Sequence, residues 1–469
     1  MWQNNDIKNV FKRIHQLQNE MVRLQAGLTA IPALSPINKG IGEVKKATYL
    51  KQALRKLGFN NIEEYRAPDK SVPCGYRPNL ITRVKGKNHS KTIWLISHID
   101  IVPPGAPMLT SGAPRIPAGH RDARNLWLTD PYQAVVKNGK IFGRGTEDNQ
   151  QAIVTSIFAV KAMKDLNLMP EYDIALGFLA DEETGSHFGI RWLLEVNDKG
   201  VLRPKGVPQG LPVIPMSKAT SGLLKNKKLF RKQDIIIVPD SGRPDSREIE
   251  IAEKSILWLK ITVKGSQCHA SMPHKGVNAL RAGAHLLCQL DDILHRQFKL
   301  KDGLFNPAVS TFEPTKKDAN VENVNTIPGE DVFYFDCRIL PKYKPEHIKR
   351  IFKQEAAKTA KKFKVKINIE IVNESGASYT APSAEAVKML GASIKYVTGK
   401  KPVLVGIGGG TFAAHFRQDG FPAVVWSTLG ELAHQPNEYC LIKNMITDAK
   451  VFAYLFSGNF CHEGTKTLK

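Results

Sequence analysis

The stretch Thr92-Ile93-Trp94-Leu95-Ile96-Ser97-His98-Ile99-Asp100 reads as an apolar strand that ends on an imidazole and a carboxylate. Comparable runs, or the loops after them, end on ligand-type residues further along. These are Asp148 in Gly143-Arg144-Gly145-Thr146-Glu147-Asp148, Glu182-Glu183 in Phe178-Leu179-Ala180-Asp181-Glu182-Glu183-Thr184-Gly185, Asp240 in Ile235-Ile236-Ile237-Val238-Pro239-Asp240, and His434 in Glu431-Leu432-Ala433-His434-Gln435-Pro436-Asn437-Glu438. Two imidazoles and several carboxylates make the donor set of a two-metal hydrolase.

Around this stretch, β-rich runs at 79–84, 92–97, 173–180 and 234–238 alternate with helical stretches at 149–166 and 187–196. That alternation predicts an α/β sandwich with a mostly parallel sheet. Ligands of such sheets gather beyond the carboxyl ends of the strands, where His98, Glu182, Glu183 and Asp240 fall. Beyond residue 253 the pattern changes. Strands are predicted at 255–263, 308–312, 322–327, 331–340 and 365–372, and helices at 277–298 and 345–362. A β-α-β-β-α-β order with one added strand describes a ferredoxin-like α+β domain. From 382 the chain returns to a helix, strands at 403–406 and 423–427, and a closing helix at 444–456. The predicted organisation is a catalytic α/β domain in two segments, 1–255 and 374–469, with a lid or dimerisation domain, 256–373, inserted between them. Segments 103–125 and 198–232, rich in Pro, Gly and basic residues, read as surface loops.

With 469 residues, 42% of them hydrophobic and 24% charged, the chain is large enough for two cores and has the composition of a globular protein. No apolar run reaches the roughly 18 residues of a membrane span, and the first residues contain no secretory h-region. Residues 7–28 instead form an amphipathic helical pattern, with Val10, Ile14, Leu17, Met21 and Leu24 on one face. Six scattered cysteines, without a C-x-x-C pair, argue against a disulfide framework or a thiolate zinc site and fit a reducing cytoplasm. The formal charge of +23 is concentrated at 225–232 and 342–366. No nucleic-acid-binding signature accompanies these runs, so they read as solvated basic faces.

Zinc takes imidazole and carboxylate donors at about 2.0–2.2 Å, and two ions about 3.5–4 Å apart need a bridging ligand. One bridging carboxylate, with a histidine and a further carboxylate for each ion, makes the set His98, Asp148, Glu183, Asp240 and His434. Of the adjacent pair Glu182 and Glu183, one can bind metal while the other takes a proton from the metal-bound water. Asp100, on the same side of the extended chain as His98, can orient the imidazole.

As a set, these motifs resemble the co-catalytic zinc metallohydrolases that include succinyl-diaminopimelate desuccinylase, acetylornithine deacetylase, glutamate carboxypeptidase and Xaa-His-type dipeptidases. The resemblance runs through nearly the whole chain. Beyond the motifs above, it is carried by Lys264-Gly265-Ser266-Gln267-Cys268-His269-Ala270-Ser271-Met272-Pro273, Asn323-Val324-Asn325-Thr326-Ile327-Pro328-Gly329-Glu330, Asp336-Cys337-Arg338 and Gly408-Gly409-Gly410-Thr411. It implies two zinc ions per subunit, with cobalt or manganese as substitutes. It gives His98 and Asp240 to one ion, Glu183 and His434 to the other, and Asp148 to both. It makes Glu182 the general base. It further implies that His269, supplied by the partner in a homodimer, stabilises the oxyanion, and that Arg338 pairs with the substrate carboxylate. Asn325, Gly409, Gly410 and Thr411 would complete the pocket. Two features, Asp240 in place of a glutamate and Phe412-Ala413-Ala414 after the glycines, lean toward the dipeptidases, whereas the short inserted segment does not.

The function expected from all this is hydrolysis of the amide bond of a small N-acyl amino acid or dipeptide with a free carboxylate. A non-catalytic binding protein on the same scaffold would be expected to lack Glu182 or a ligand, and none is missing. A nucleic-acid-binding role has only the net charge to recommend it.

Overall fold

The computed structural model describes residues 2–105, 127–199 and 229–459. Most of the two long loops expected from sequence, and half of the basic run at 225–232, lie outside the described residues. The strands, in chain order, are β1 Ile62–Pro68, β2 Tyr76–Val84, β3 Asn88–His98, β4 Val135–Lys137, β5 Lys140–Phe142, β6 Tyr172–Leu179, β7 Ile235–Gly242, β8 Glu248–Glu253, β9 Ser255–Lys264, β10 Cys268–His269, β11 Thr311–Lys317, β12 Thr326–Ile327, β13 Glu330–Ile339, β14 Lys366–Ser375, β15 Ser378–Tyr379, β16 Val403–Ile407, β17 Ala423–Ser427 and β18 Tyr439–Leu441. The chain divides into two compact units: Met1–Ile251 with Thr380–Leu404 and Thr411–Lys469, and Ala252–Tyr379 with Val405–Gly410.

The first unit is built on a sheet of order β1-β2-β6-β3-β7-β17-β8. Its centre is parallel, β6 with β3, β3 with β7 and β7 with β17, while β1, β2 and β8 pair antiparallel at the edges. Parallel strands covered on both faces need continuous apolar runs, and the central strands supply them. Trp94, Ile96, Ile236, Val238 and Val425 pack with Trp192, Leu193, Phe412 and Phe416 of the helices Ile190–Lys199 and Phe412–Gln418. The alternate residues Ile93, Leu95, Ile235, Ile237 and Val424 are equally buried toward the opposite face. The helix Gln151–Asp165 packs against β3 and β6, and the helix Ile442–Ser457 lies against it.

The second unit is a four-stranded antiparallel sheet of order β11-β13-β9-β14 with two helices, Ala279–Gln297 and Pro345–Phe363. In chain order this is β-α-β-β-α-β, the ferredoxin-like arrangement. Leu257, Leu259, Ile261 and Val263 of β9 meet Leu286, Leu290, Ile348 and Phe352 of the helices in one core. On the basic second helix, Lys358 pairs with Glu355 at 2.6 Å and Lys349 with Glu374 at 2.7 Å.

Several local expectations shift. The single helix read over 7–28 is two, Asn4–Gln16 and Gln18–Thr29, broken at Leu17, although Val10, Ile14, Leu17, Met21 and Leu24 are all buried. The strand expected at 322–327 shrinks to the two residues of β12, which pair with β10. The helix expected from 187 begins at Ile190. Among the described residues, no helix is long and apolar enough to cross a membrane.

Candidate metal centre

The parallel strands deliver their carboxyl ends to one edge of the first unit's sheet, as open α/β sheets do. β3 ends at His98, β6 runs into Asp181-Glu182-Glu183, and Asp240 lies near the end of β7. Asp148 sits in a tight turn ahead of the helix Gln151–Asp165, and His434 in the loop between β17 and β18. The turn requires glycine at 145. Its φ is +81°, and a Cβ there would lie 2.6 Å from Ile101 Cγ2 and 2.7 Å from Gln150 Nε2.

The five candidate ligands converge. His98 Nε2 lies 2.8 Å from Asp148 Oδ1 and 3.4 Å from Asp240 Oδ1. His434 Nε2 lies 3.2 Å from Asp148 Oδ2 and 3.0 Å from Glu183 Oε2. Asp148 therefore faces one histidine with each oxygen. The donor atoms of His98, Asp148 and Glu183 lie within 4.8 Å of one another, as do those of His98, Glu182 and Asp240.

Asp100 does two things in this geometry. Its carboxylate accepts the backbone N–H groups of Glu182 and Glu183, both at 3.1 Å. His98 Nδ1 lies 3.1 Å from the Asp100 carbonyl oxygen and 3.4 Å from its carboxylate. The Glu182-Glu183 pair is thus held in a turn by Asp100, ahead of the following helix, which starts at Ile190. Asn149 Nδ2 donates to Asp240 Oδ1 at 2.6 Å and to the Pro239 carbonyl at 2.8 Å, fixing the third strand end.

Crowding of carboxylates shapes the electrostatics. Burial, followed by repulsion from Asp240, Glu183 and Asp148, pushes Glu182 well above the usual carboxylate range, although His98 opposes the shift. Burial and then Asp148 raise Glu183 to about 7. Burial pushes Asp148 up, but its bonds with His434 and His98 outweigh that and hold it low. Hydrogen bonds to Asp148 and Glu183 raise His434 to about 10. Burial lowers His98, but Asp240, Asp100 and Asp148 overcome it and hold the imidazole well above its ordinary value.

These residues fit divalent cations. Four carboxylates and two imidazoles share one largely buried cluster, a concentration of like charge that protons alone relieve poorly. Glu183 Oε1 is buried without a hydrogen-bond partner, an acceptor left over once His434 is satisfied.

The remaining sequence-selected residues are differently placed. Thr411 is buried and caps the helix Phe412–Gln418, its hydroxyl accepting the Ala413 N–H at 3.1 Å. In the second unit His269 lies on β10, exposed, with Nδ1 2.7 Å from the Ser271 hydroxyl. Arg338 on β13 donates bidentately to Asp336, at 2.7 and 2.9 Å, and to the Gly408 carbonyl at 2.8 Å. Asn325 is exposed in the loop before β12, its carbonyl accepting the Ala270 N–H at 2.8 Å. Gly409 and Gly410 belong to the same unit, and a Cβ on Gly410 would press on Ile256 at 3.2 Å.

Sequence reasoning assigned no task to Arg144, Glu147, Asn149 or Glu438, all buried around Asp148. Glu438 was quoted within the His434 motif. The signal that could have raised it is a carboxylate placed four residues beyond a candidate ligand, just before the short apolar run Tyr439-Cys440-Leu441-Ile442.

A fold with an α/β sheet, a ferredoxin-like unit and this donor cluster defines a metallohydrolase. The chain belongs to peptidase family M20/M25/M40, whose model matches residues 94–457. It is 37% identical, over 92% of its length and 98% of the relative's, to an uncharacterized metallohydrolase of Methanococcus maripaludis, and 35% identical to one of Methanocaldococcus jannaschii over 93% and 98%. A succinyl-diaminopimelate desuccinylase of Maricaulis maris is 25% identical over 95% of this chain and 97% of its own. Among solved structures, human carnosine dipeptidase 1 shares the fold with a TM-score of 0.69 at 16% identity, covering 96% of this chain and 98% of that one. The dipeptidase Dug1p of Saccharomyces cerevisiae does so at 0.68, with the same identity and coverage.

Proposed function

We propose that this metallohydrolase is a di-zinc amidohydrolase that cleaves the C–N bond of a small N-acyl amino acid or dipeptide bearing a free carboxylate. The observation that carries the reading is Asp148, flanked by His98 on one oxygen and by His434 on the other. His98 and Asp240 would hold one ion, Glu183 and His434 the second, and Asp148 both. Such ions polarise a carbonyl and make water acidic enough to attack near neutral pH.

The chain's own groups supply the rest. Glu182, half-buried beside the cluster, takes the proton from the attacking water and passes it to the leaving nitrogen. Asp100 holds the Glu182 and Glu183 backbone so that one carboxylate stays free while the other serves as a ligand. The family resemblance gives His269, from a second subunit of a homodimer, to the oxyanion, and Arg338 to the substrate carboxylate. Because Asp336 already occupies the Arg338 fork, a substrate carboxylate would have to share or displace it. The scattered cysteines support a reducing, cytoplasmic setting.

The test is a screen of N-succinyl amino acids, N-acetyl amino acids and dipeptides with the zinc- and cobalt-loaded protein, reading release of the free amine. Metal-dependent turnover of one class names the substrate. No turnover of any class, by a protein shown to hold two ions, would overturn the amidohydrolase reading. Sedimentation showing an active monomer would remove the partner's His269 from the scheme.

A further inference from the structure

Glu147 and Glu438 have no task in the chemistry above, yet each reaches across to the segment that carries the other. Glu438, four residues beyond His434, accepts the backbone N–H groups of Gly145 at 3.0 Å, Glu147 at 2.8 Å and Asp148 at 3.1 Å. Its Oε2 also receives Arg144 at 2.6 Å, and its own carbonyl accepts the Gly143 N–H at 3.0 Å. In the other direction, Glu147 accepts the backbone N–H groups of Gly430 and of Leu432, the latter at 2.5 Å, on the approach to His434. Both carboxylates are buried, Glu438 fully and Glu147 to within 2%.

The crossing is reciprocal. The segment holding Asp148 has a carboxylate closing the His434 loop, and the His434 loop has a carboxylate closing the Asp148 turn. The bonded residues are separated by more than 280 positions, so local chain stiffness cannot set their spacing. A carboxylate can accept several N–H donors at once, whereas an amide of the same shape has one acceptor oxygen and turns two donors toward them.

We infer that Glu147 and Glu438 form a double clasp that sets the distance between Asp148 and His434, and so act as positioning residues for the metal-holding side chains. The inference rests on the proposed metal centre. Neither carboxylate is placed among the ligands; each works through the backbone of a segment that carries one. Groups that orient metal ligands in this way typically change affinity by roughly 10–100-fold when replaced.

The test uses the full-length apo protein titrated with cobalt(II), followed by the visible spectrum and by competition with a chelator, alongside thermal unfolding without metal. Glu438→Gln should weaken cobalt binding by roughly 10–100-fold and alter the absorption of the bound ions. Glu147→Gln should shift both in the same direction from the opposite segment, and it stands in should the first variant fold poorly. Glu250→Gln is the control. Its carboxylate is similarly buried and bound at 2.9 and 3.1 Å to Arg417, which belongs to the helix Phe412–Gln418 and to neither clasped segment. It should lower the melting temperature while leaving cobalt affinity at the wild-type value. Wild-type affinity and spectrum in both clasp variants would overturn the inference. An equal loss of affinity in Glu250→Gln would overturn it as well, by showing general loosening. A wild-type chain that takes up no cobalt is a separate result and sinks the metal reading on which the clasp depends.

Discussion

The two units hold their candidate functional residues in opposite ways. In the first, every candidate ligand but His434 is largely buried, and the segments carrying them are fixed by carboxylates that accept backbone N–H groups: Asp100 for Glu182 and Glu183, Glu438 for the Asp148 turn, Glu147 for the His434 loop. In the second, His269 and Asn325 are exposed, and the Arg338 fork is filled by its own neighbour Asp336. The contrast separates residues whose backbone is held by buried carboxylates from residues that lie exposed or bound to a neighbour within their own unit. Preorganised charge is most effective where the chemistry occurs, because nothing has to reorient during reaction.

The hardest blow to this contrast is struck at Glu182. Glu182→Gln should keep both metals and lose roughly 10²–10⁴-fold in kcat, the usual share of a general base. Metal analysis beside steady-state kinetics checks it. Metal loss would mean that Glu182 and Glu183 have exchanged roles, and normal turnover would remove Glu182 from the mechanism.

Arg338→Ala probes the second unit. Losing a charge-assisted fork should cost on the order of 2–5 kcal/mol in binding a substrate with a free carboxylate, and much less for its amidated analogue. Comparable losses for both substrates would mean that Arg338 serves only Asp336 and Gly408, and the second unit would then contribute no carboxylate recognition through it.

Acid should loosen the first unit through His415. Burial, followed by the positive charges of Arg191 and His187, lowers this imidazole to about 3. Its unfolded value is about 6.5, so between these values the unfolded chain binds the extra proton. The contribution is intact above about pH 6.5 and is lost as pH falls toward the folded value, a difference on the order of a few kcal/mol. Denaturant unfolding at a series of pH values should show a steeper acid decline in the wild type than in His415→Gln. Parallel curves would show that this burial is relieved without unfolding.

The smallest effect is expected at Thr411. Removing the cap from a short helix costs about 1 kcal/mol. Thr411→Ala should therefore lower the melting temperature slightly and leave KM unchanged. A raised KM at constant stability would return Thr411 to the substrate pocket.

Much of the fold is legible in the chain because its signal is local. The runs at 92–97, 173–180, 234–238 and 423–427 are apolar through their centres, at 93–96, 174–180, 235–238 and 423–426, as strands buried on both faces must be, and they appear as β3, β6, β7 and β17. The alternation along β9 and β13 likewise marks a sheet with one helix-covered face. Polar residues of ligand type at the ends of such runs stand out against the apolar background, which is why His98, Glu182, Glu183 and Asp240 could be singled out. The antiparallel edges were harder. β1 and β8 mix charged with apolar residues, and β15 and β18 are two and three residues long, too short for any period to register.

By itself, then, the sequence determined which segments form the buried central strands, which residue types stand at their ends, and which family the motifs resemble. Only the tertiary structure decided that Leu17 breaks the first helix, that the Asp100 carboxylate holds the backbone of Glu182 and Glu183, and that Thr411 is a cap. It alone brought Glu438 to the Asp148 turn and Glu147 to the His434 loop. The reason is physical. Apolar periodicity is written into neighbouring residues, whereas a hydrogen bond between segments almost three hundred residues apart exists only once the chain has closed on itself.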